Sequence, residues 1–283
     1  SPKFSGYYNV YVPKLVFSGY KVKCQEFSLA GGSEQALELQ QSMALQMHLP
    51  LEVRTPVVRI RMRFIPSGLF EMGSPFFEND RNKDEKKHDV KISRPFYCGV
   101  YEITEAEWAR VMHGGRTNSQ LPVANVSWNE CQEFLRRLCK LEGVPEGTYS
   151  LLSEEEWEYV CRSGTSDPFA FGKKLELGLA CFDGSRPYGN GLKSKTKYAS
   201  GPVGGYQSNA WGIYDMHGNV SEWCSSLYEP YMEPNKKSGE VRVFRGGSWG
   251  DPGDRCRSAC RGNGVQQKTS KYIGLRIKRV IYP

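Results

Sequence analysis

Gly212-Ile-Tyr-Asp-Met-His-Gly-Asn-Val-Ser-Glu-Trp223 is the stretch on which the reading of this chain turns. Within it, Gly218-Asn-Val-Ser-Glu222 brings an amide oxygen, neighbouring backbone carbonyls and a carboxylate into one tight turn, the oxygen-rich set that a hard cation such as calcium prefers. The same residues also read without a metal: Asn219 satisfies the turn and Glu222 pairs with an arginine, since calcium needs partners beyond those the stretch supplies.

Upstream, three helix starts carry a hydroxyl residue followed three positions later by glutamate: Thr104/Glu107, Ser127/Glu130 and Ser153/Glu156. Each is a capping box, so these glutamates are structural rather than catalytic. After Ser127, the residues Cys131, Phe134, Leu135 and Leu138 fall on one helical face, and Gly143 with Pro145 stops the helix. Val57-Val-Arg-Ile-Arg-Met-Arg-Phe64 alternates apolar and basic residues, the period of a half-buried strand with its arginines toward solvent. The main domain is placed from here, 57–283, with 1–56 as an N-terminal extension packed on it. In that extension Tyr7, Tyr8, Val10 and Val12 suggest a strand start, and Ser33 to His48 suits a helix.

Glu78 to Asp89 mixes charges of both signs with few apolar residues and reads as an exposed loop. Ser163 to Gly205, rich in Gly, Pro, Ser and Lys, shows little regular structure. Downstream, Val241 to Arg245 and Tyr272 to Ile277 are short strands. Trp128, Trp157, Trp223 and Trp249 are core anchors.

Composition narrows the classes. Thirty glycines and sixteen prolines spread over 283 residues describe a loop-rich globular chain, not a helical bundle. The formal charge of +7 comes from scattered residues with no aromatic-interleaved basic stripe, so no nucleic-acid partner is indicated. No run is long and apolar enough to span a membrane. Nine cysteines form no CxxC pair, which argues against a zinc ribbon or a thioredoxin-like redox motif; Cys131 and Cys161 suit buried small hydrophobes.

The opening stretch belongs to an ordered series: Phe70-Glu-Met-Gly-Ser74, Val100-Tyr-Glu-Ile-Thr-Glu105, Val123-Ala-Asn-Val-Ser-Trp128, Leu152-Ser-Glu-Glu-Glu-Trp-Glu-Tyr159, the stretch itself, Arg245-Gly-Gly-Ser-Trp249 and Gly274-Leu-Arg276. In this order the chain resembles the formylglycine-generating (sulfatase-modifying factor) family from about residue 57 to 277. The resemblance implies an α+β, C-type-lectin-like fold of the formylglycine-generating-enzyme type, loop-rich with little regular secondary structure. It also implies calcium at the positions matching Asn219, Val220 and Glu222, which family members often hold.

The resemblance stops short of the chemistry. Family enzymes carry two copper-binding cysteines five residues apart, shortly after the Gly-Gly-Ser motif. Here the matching stretch is Gly250-Asp-Pro-Gly-Asp-Arg-Cys-Arg-Ser-Ala-Cys-Arg261, and aligning Arg257 to Arg261 with the family pattern puts glycine or aspartate where thiols should stand. Cys256 and Cys260 are four apart and lie too late. Ergothioneine-pathway relatives need a histidine trio for iron, and His48, His88, His113 and His217 show no such spacing.

The expectation is thus a non-catalytic binder with no required cofactor. Its C-terminal composition resembles the variable region of diversity-generating retroelement proteins, here about residues 244–277. Gly250, Asp251, Gly253, Asp254, Arg255, Cys256, Cys260, Gly262, Asn263, Gly264, Ser270 and Tyr272 are the candidate ligand-binding positions, with an unidentified protein or surface ligand as partner. By the same resemblance the chain is expected at the cell surface as an anchored lipoprotein. The alternative of another class is a copper or iron oxygenase-type enzyme using Cys256 and Cys260. Arg257 and Arg261 either recognise acidic partners or serve as structural pairs.

Overall fold

The computed structural model describes residues 32–113, 115, 117–195, 198–229 and 241–282. The strand start at Tyr7 to Val12, and Cys24, lie outside the described residues. In chain order the elements are α1 (Gly32–Gln46), β1 (Glu52–Arg54), β2 (Arg61–Ile65), β3 (Gly68–Met72), β4 (His88–Ile92), β5 (Phe96–Gly99), α2 (Glu105–Met112), α3 (Trp128–Glu142), β6 (Tyr149–Leu151), α4 (Glu154–Arg162), β7 (Ser221–Leu227), β8 (Val241–Arg245), a 3-10 turn (Gly253–Cys256), β9 (Arg261–Val265), β10 (Ile273–Gly274) and β11 (Ile277–Val280).

Two curled sheets frame the molecule. The five-stranded sheet runs β1-β2-β5-β11-β6 and is antiparallel throughout. The four-stranded sheet runs β10-β7-β8-β9, with β10 parallel to β7. β3 and β4 form a separate ribbon. The alternation read in β2 has its physical cause here: Met62 and Phe64 are buried, while Arg61 and Arg63 lie half-buried against Glu52 on β1, at 2.9 and 3.8 Å.

All three capping boxes form, each with the hydroxyl accepting from the third helical N–H and the glutamate from the cap N–H. α3 turns Cys131, Phe134, Leu135 and Leu138 into the main core and ends at Gly143 with φ of 67°, a left-handed cap that suits glycine. α4 is buried on nearly every side, packed against the β3–β4 ribbon and strands β7 and β8. α1 lies against the same body: Trp211 Nε1 donates to the Ala36 carbonyl at 2.8 Å, and Gln40 Nε2 to Phe64 O at 2.6 Å. Trp157, Trp223 and Trp249 are buried, and half-buried Trp128 donates its indole N–H to Cys224 O at 2.9 Å.

The irregular stretch 163–205 is supported by a small core of its own, with Phe169, Leu175, Ala180, Phe182 and Tyr188 gathered against Cys256. The exposed-loop reading of Glu78 to Asp89 is corrected. Glu78 and Glu85 are buried and clamp Arg257, at 2.7 Å and at 2.8 and 2.9 Å respectively, and the last residues enter β4. The segment's anchors are ionic, which a search for apolar residues overlooks.

Candidate functional site

The segment after β8 is set by buried arginines. Arg245 donates to Glu154 at 2.9 Å, to Ser258 O at 2.7 Å and to Glu158, which also accepts from Arg162 at 2.8 Å. Arg261 forks onto Glu154 at 2.6 and 2.8 Å. Arg257 and Arg261 are therefore structural pairs, deep inside the protein.

Gly246 and Gly247, at φ of 98° and 68°, then turn the chain in backbone that suits glycine. Trp249 N–H donates to Asn219 O at 2.9 Å, Ser248 Oγ donates to Asp251 Oδ2 at 2.6 Å, and Asp183 N–H donates to Asp251 O at 2.9 Å. Gly253 N–H donates to Arg186 O at 2.9 Å, and Ser258 N–H to Pro168 O at 2.8 Å.

His217 fixes the inner side. Its Nδ1 meets the Cys256 carbonyl at 2.8 Å and its Nε2 meets Ala170 N–H at 3.0 Å. A carbonyl only accepts and an amide N–H only donates, so Nδ1 carries the proton and the ring is neutral. Burial agrees, pushing its pKa down to about 4.

On this frame sits an open cleft of about 500 Å³. Gly250, Asp251, Asp254 and Arg255 line it from the segment read in the sequence, and Asp80, Arg186 and Tyr188 line it from two others. The latter three were not legible beforehand, because they reach the cleft only through the Arg257 clamp and the loop hydrogen bonds just described.

The other named positions divide. Asn263 is exposed and Ser270, Tyr272 and Gly262 are half-buried, outside the cleft lining. Cys256, Cys260, Gly253 and Gly264 are buried, so they cannot present side chains to a ligand. That corrects their place in the binding set: Cys256 packs into the small core of the irregular stretch, and Cys260 is closed in beside Arg257 and Glu85. Burial pushes the Cys260 thiol up to about 11 and Cys256 well above its ordinary value. All eight described cysteines are free and buried.

The calcium candidates also have partners. Glu222 takes the Arg276 guanidinium at 2.7, 3.0 and 3.1 Å and the Trp157 indole N–H at 2.7 Å. Asn219 Oδ1 accepts from Gly201 N–H at 2.9 Å. A carboxylate already neutralised by a guanidinium does not fit a cation site, and the Glu222–Arg276 pair is the arginine contact that the reading without a metal supposes. Beside it, Glu102 and Asp215 are buried carboxyls, and both are raised, by burial first and for Glu102 next by Asp215. Among the described residues, Glu102 is reached by long contacts of 3.4 Å from Asn219 Nδ2 and Val220 N–H. Among the described residues, no three His, Cys, Asp or Glu side chains gather as metal ligands.

A family model, the sulfatase-modifying factor enzyme 1-like domain, matches residues 54–281. The chain belongs to this family. Among relatives of the sulfatase-modifying factor type, it is 31% identical over 186 residues to the formylglycine-generating enzyme of Streptomyces coelicolor, covering 60% of this chain and 55% of that protein. It is 30% identical over 171 residues to inactive C-alpha-formylglycine-generating enzyme 2 of Mus musculus, covering 58% and 50%. The chain thus spans about half the length of these curated relatives.

PvdO from Pseudomonas aeruginosa superimposes with a TM-score of 0.70 at 26% identity over 81% of this chain and 98% of that one. Treponema denticola variable protein 1 does so at 0.63 and 21% identity, over 81% and 98%. The fold is the C-type-lectin-like one. Since the sulfatase-modifying factor family includes both an enzyme and a relative named inactive, membership leaves the chemistry to this site's own residues.

Proposed function

We propose that this member is a non-catalytic binding protein whose ligand face is the cleft formed by Asp80, Arg186, Tyr188, Asp251, Asp254 and Arg255. One observation carries the reading: the cleft lined by the start of the segment that matches the family's thiol-bearing stretch presents carboxylates, guanidiniums and a phenol, while Cys256 and Cys260 are turned inside and held as thiols. A copper centre needs accessible thiolates, and burial disfavours them at both positions, outweighing Arg257 beside Cys260. A rigid frame beneath exposed side chains suits binding, because little ordering entropy is lost when a partner arrives.

Diversification within about residues 244–277 and display at a cell surface, as a lipid-anchored chain, belong to the same proposal. An adenine-bearing template repeat and a reverse transcriptase beside the gene, and membrane fractionation of the native host, test the two. No described helix is long and apolar enough to cross a membrane. No cofactor is assigned to the activity; calcium is proposed at Glu102 and Asp215, two neighbouring buried carboxyls that no guanidinium grips among the described residues.

The decisive experiment incubates the protein with copper, oxygen and a cysteine-containing peptide and follows the peptide by mass spectrometry. An unchanged cysteine is expected, and conversion to an aldehyde would overturn the reading.

A further inference from the structure

Phe76 and Phe77 are 85% and 74% exposed, neighbours in sequence and in contact, their rings edge to face at 5.3 Å. They occupy the two corner positions of a turn closed by Glu78 N–H to Pro75 O at 3.0 Å. Corners of this kind ordinarily carry Gly, Asn, Asp or Ser, which meet water without loss. Large aromatics there do nothing for the turn.

The turn is also rigid. Ser74 N–H donates to Glu85 O at 2.9 Å before it, and the Glu78 carboxylate grips Arg257 at 2.7 Å after it. Asn79 then accepts from Tyr188 OH at 2.8 Å, and Asp80 reaches the wall of the cleft. Aromatic pair and cleft are therefore held by the same few residues. Around the cleft Asp80, Asp251, Asp254 and Asp183 stand against Arg186 and Arg255; Arg186 is already taken by Asp183 at 2.7 Å, and Arg255 lies 3.8 Å from Asp254. On a chain of formal charge +7, this patch is locally acidic.

We propose that the Phe76–Phe77 turn and the cleft carboxylates form one docking surface for an extended basic polypeptide segment. An apolar side chain of the partner covers the phenylalanines, and a neighbouring lysine or arginine meets Asp80, Asp251 and Asp254. The proposal rests on the binding-face reading above and specifies its partner. Anchoring by rigid aromatics beside complementary charge is how small interfaces concentrate their affinity. The carboxylates disfavour an anionic membrane surface, and two copies of this chain would bring like net charges together.

The test selects a random twelve-residue peptide library on the full chain and measures the enriched peptides by fluorescence anisotropy. Enrichment of Lys or Arg close to an aliphatic or aromatic residue is expected. Affinity should fall roughly tenfold or more both in the double variant Phe76→Ser, Phe77→Ser and in Asp254→Lys. The double variant touches only exposed side chains, so an unchanged melting curve separates lost binding from lost folding.

Peptides that ignore the phenylalanine variants but need Asp254 overturn this inference and leave the binding face standing. No enrichment at all overturns both. Phe76→p-benzoylphenylalanine, irradiated with the selected peptide, with the protein alone, and with phosphatidylcholine–phosphatidylglycerol vesicles, names the occupant. Cross-linking chiefly to lipid, to a second copy or to another part of the same chain overturns the proposal.

Discussion

Arg257 and Glu85, 172 positions apart in sequence, meet inside the protein as a two-pronged ion pair of 2.8 and 2.9 Å. The pair ties the loop before β4 to the segment that lines the cleft, since Arg257 Nε also donates to Asp254 O at 3.0 Å, and Glu78 completes it. Glu85→Gln would leave a buried guanidinium short of charge at a cost of about 3 kcal/mol, the low end for a broken buried pair because Glu78 remains. Calorimetry should show a melting temperature lower by roughly 6–12 °C. Arg257→Met removes the cation and strands both carboxylates, and should be worse.

Acid should act through the same charges. Burial works against ionised Glu85 and Glu158, yet Arg257 for the first, and Arg162 with Arg245 for the second, outweigh it and hold both below their ordinary range. The stability they contribute is complete above the usual glutamate pKa of about 4.3 and is lost as pH falls through their depressed folded values. Urea unfolding from pH 5 down to 2.5 should show this loss, and it should be smaller in Glu85→Gln.

Glu102 runs the other way. Its carboxyl is raised by burial and then by Asp215, so the folded state holds its proton more tightly than the unfolded chain does. That contribution is present at low pH and fades as pH rises from about 4.3 through the raised value. Glu102→Gln should therefore be more stable than the parent at pH 8 and no better at pH 4. Millimolar calcium supplies the contrasting arm: a melting temperature raised in the parent and not in Glu102→Gln supports a cation at this pair, and no shift in either removes calcium from the proposal.

Thiol labelling checks the placement of the late cysteines. N-ethylmaleimide at pH 8 should leave Cys256 and Cys260 unmodified in the native protein and alkylate both in guanidinium, read by peptide mapping. Rapid native modification of either would return the oxygenase reading.

The glycines of the late segment bear on which positions can change. A Cβ at Gly253 would lie 2.7 Å from the Tyr188 backbone nitrogen, and one at Gly262 would lie 2.1 Å from the Phe244 ring. Gly253→Ala and Gly262→Ala should each cost about 1–3 kcal/mol. Asp254→Ala, Arg255→Ala and Asn263→Ala should stay within about 0.5 kcal/mol. Urea midpoints decide; equal tolerance at all five would contradict the packing described.

What the sequence revealed follows from where the determining contacts lie. α3 and its caps were legible because hydroxyl, glutamate, apolar face and terminal glycine all act within about four turns of chain. The ordered motifs were legible for a different reason, as a resemblance. Asp80, Arg186 and Tyr188 were not, because their place in the cleft depends on pairings such as Arg257 with Glu85 that leave no local periodicity. Glu222 left two readings open, and Arg276 supplies the arginine partner that one of them required. Cys256 and Cys260 were read as displayed because composition cannot say which way a side chain faces in irregular backbone.

The position of β11 in the larger sheet carries a further consequence. Lys278 pairs with Cys98 on one side and Ser150 on the other, so a strand made late fills a slot between two made much earlier. During synthesis that slot stays open, with Phe96, Tyr97 and Tyr149 in strands awaiting their partner. The nascent protein must wait, and an early release from the ribosome before Ile277 would produce a chain unable to close its sheet, a natural substrate for quality-control proteases.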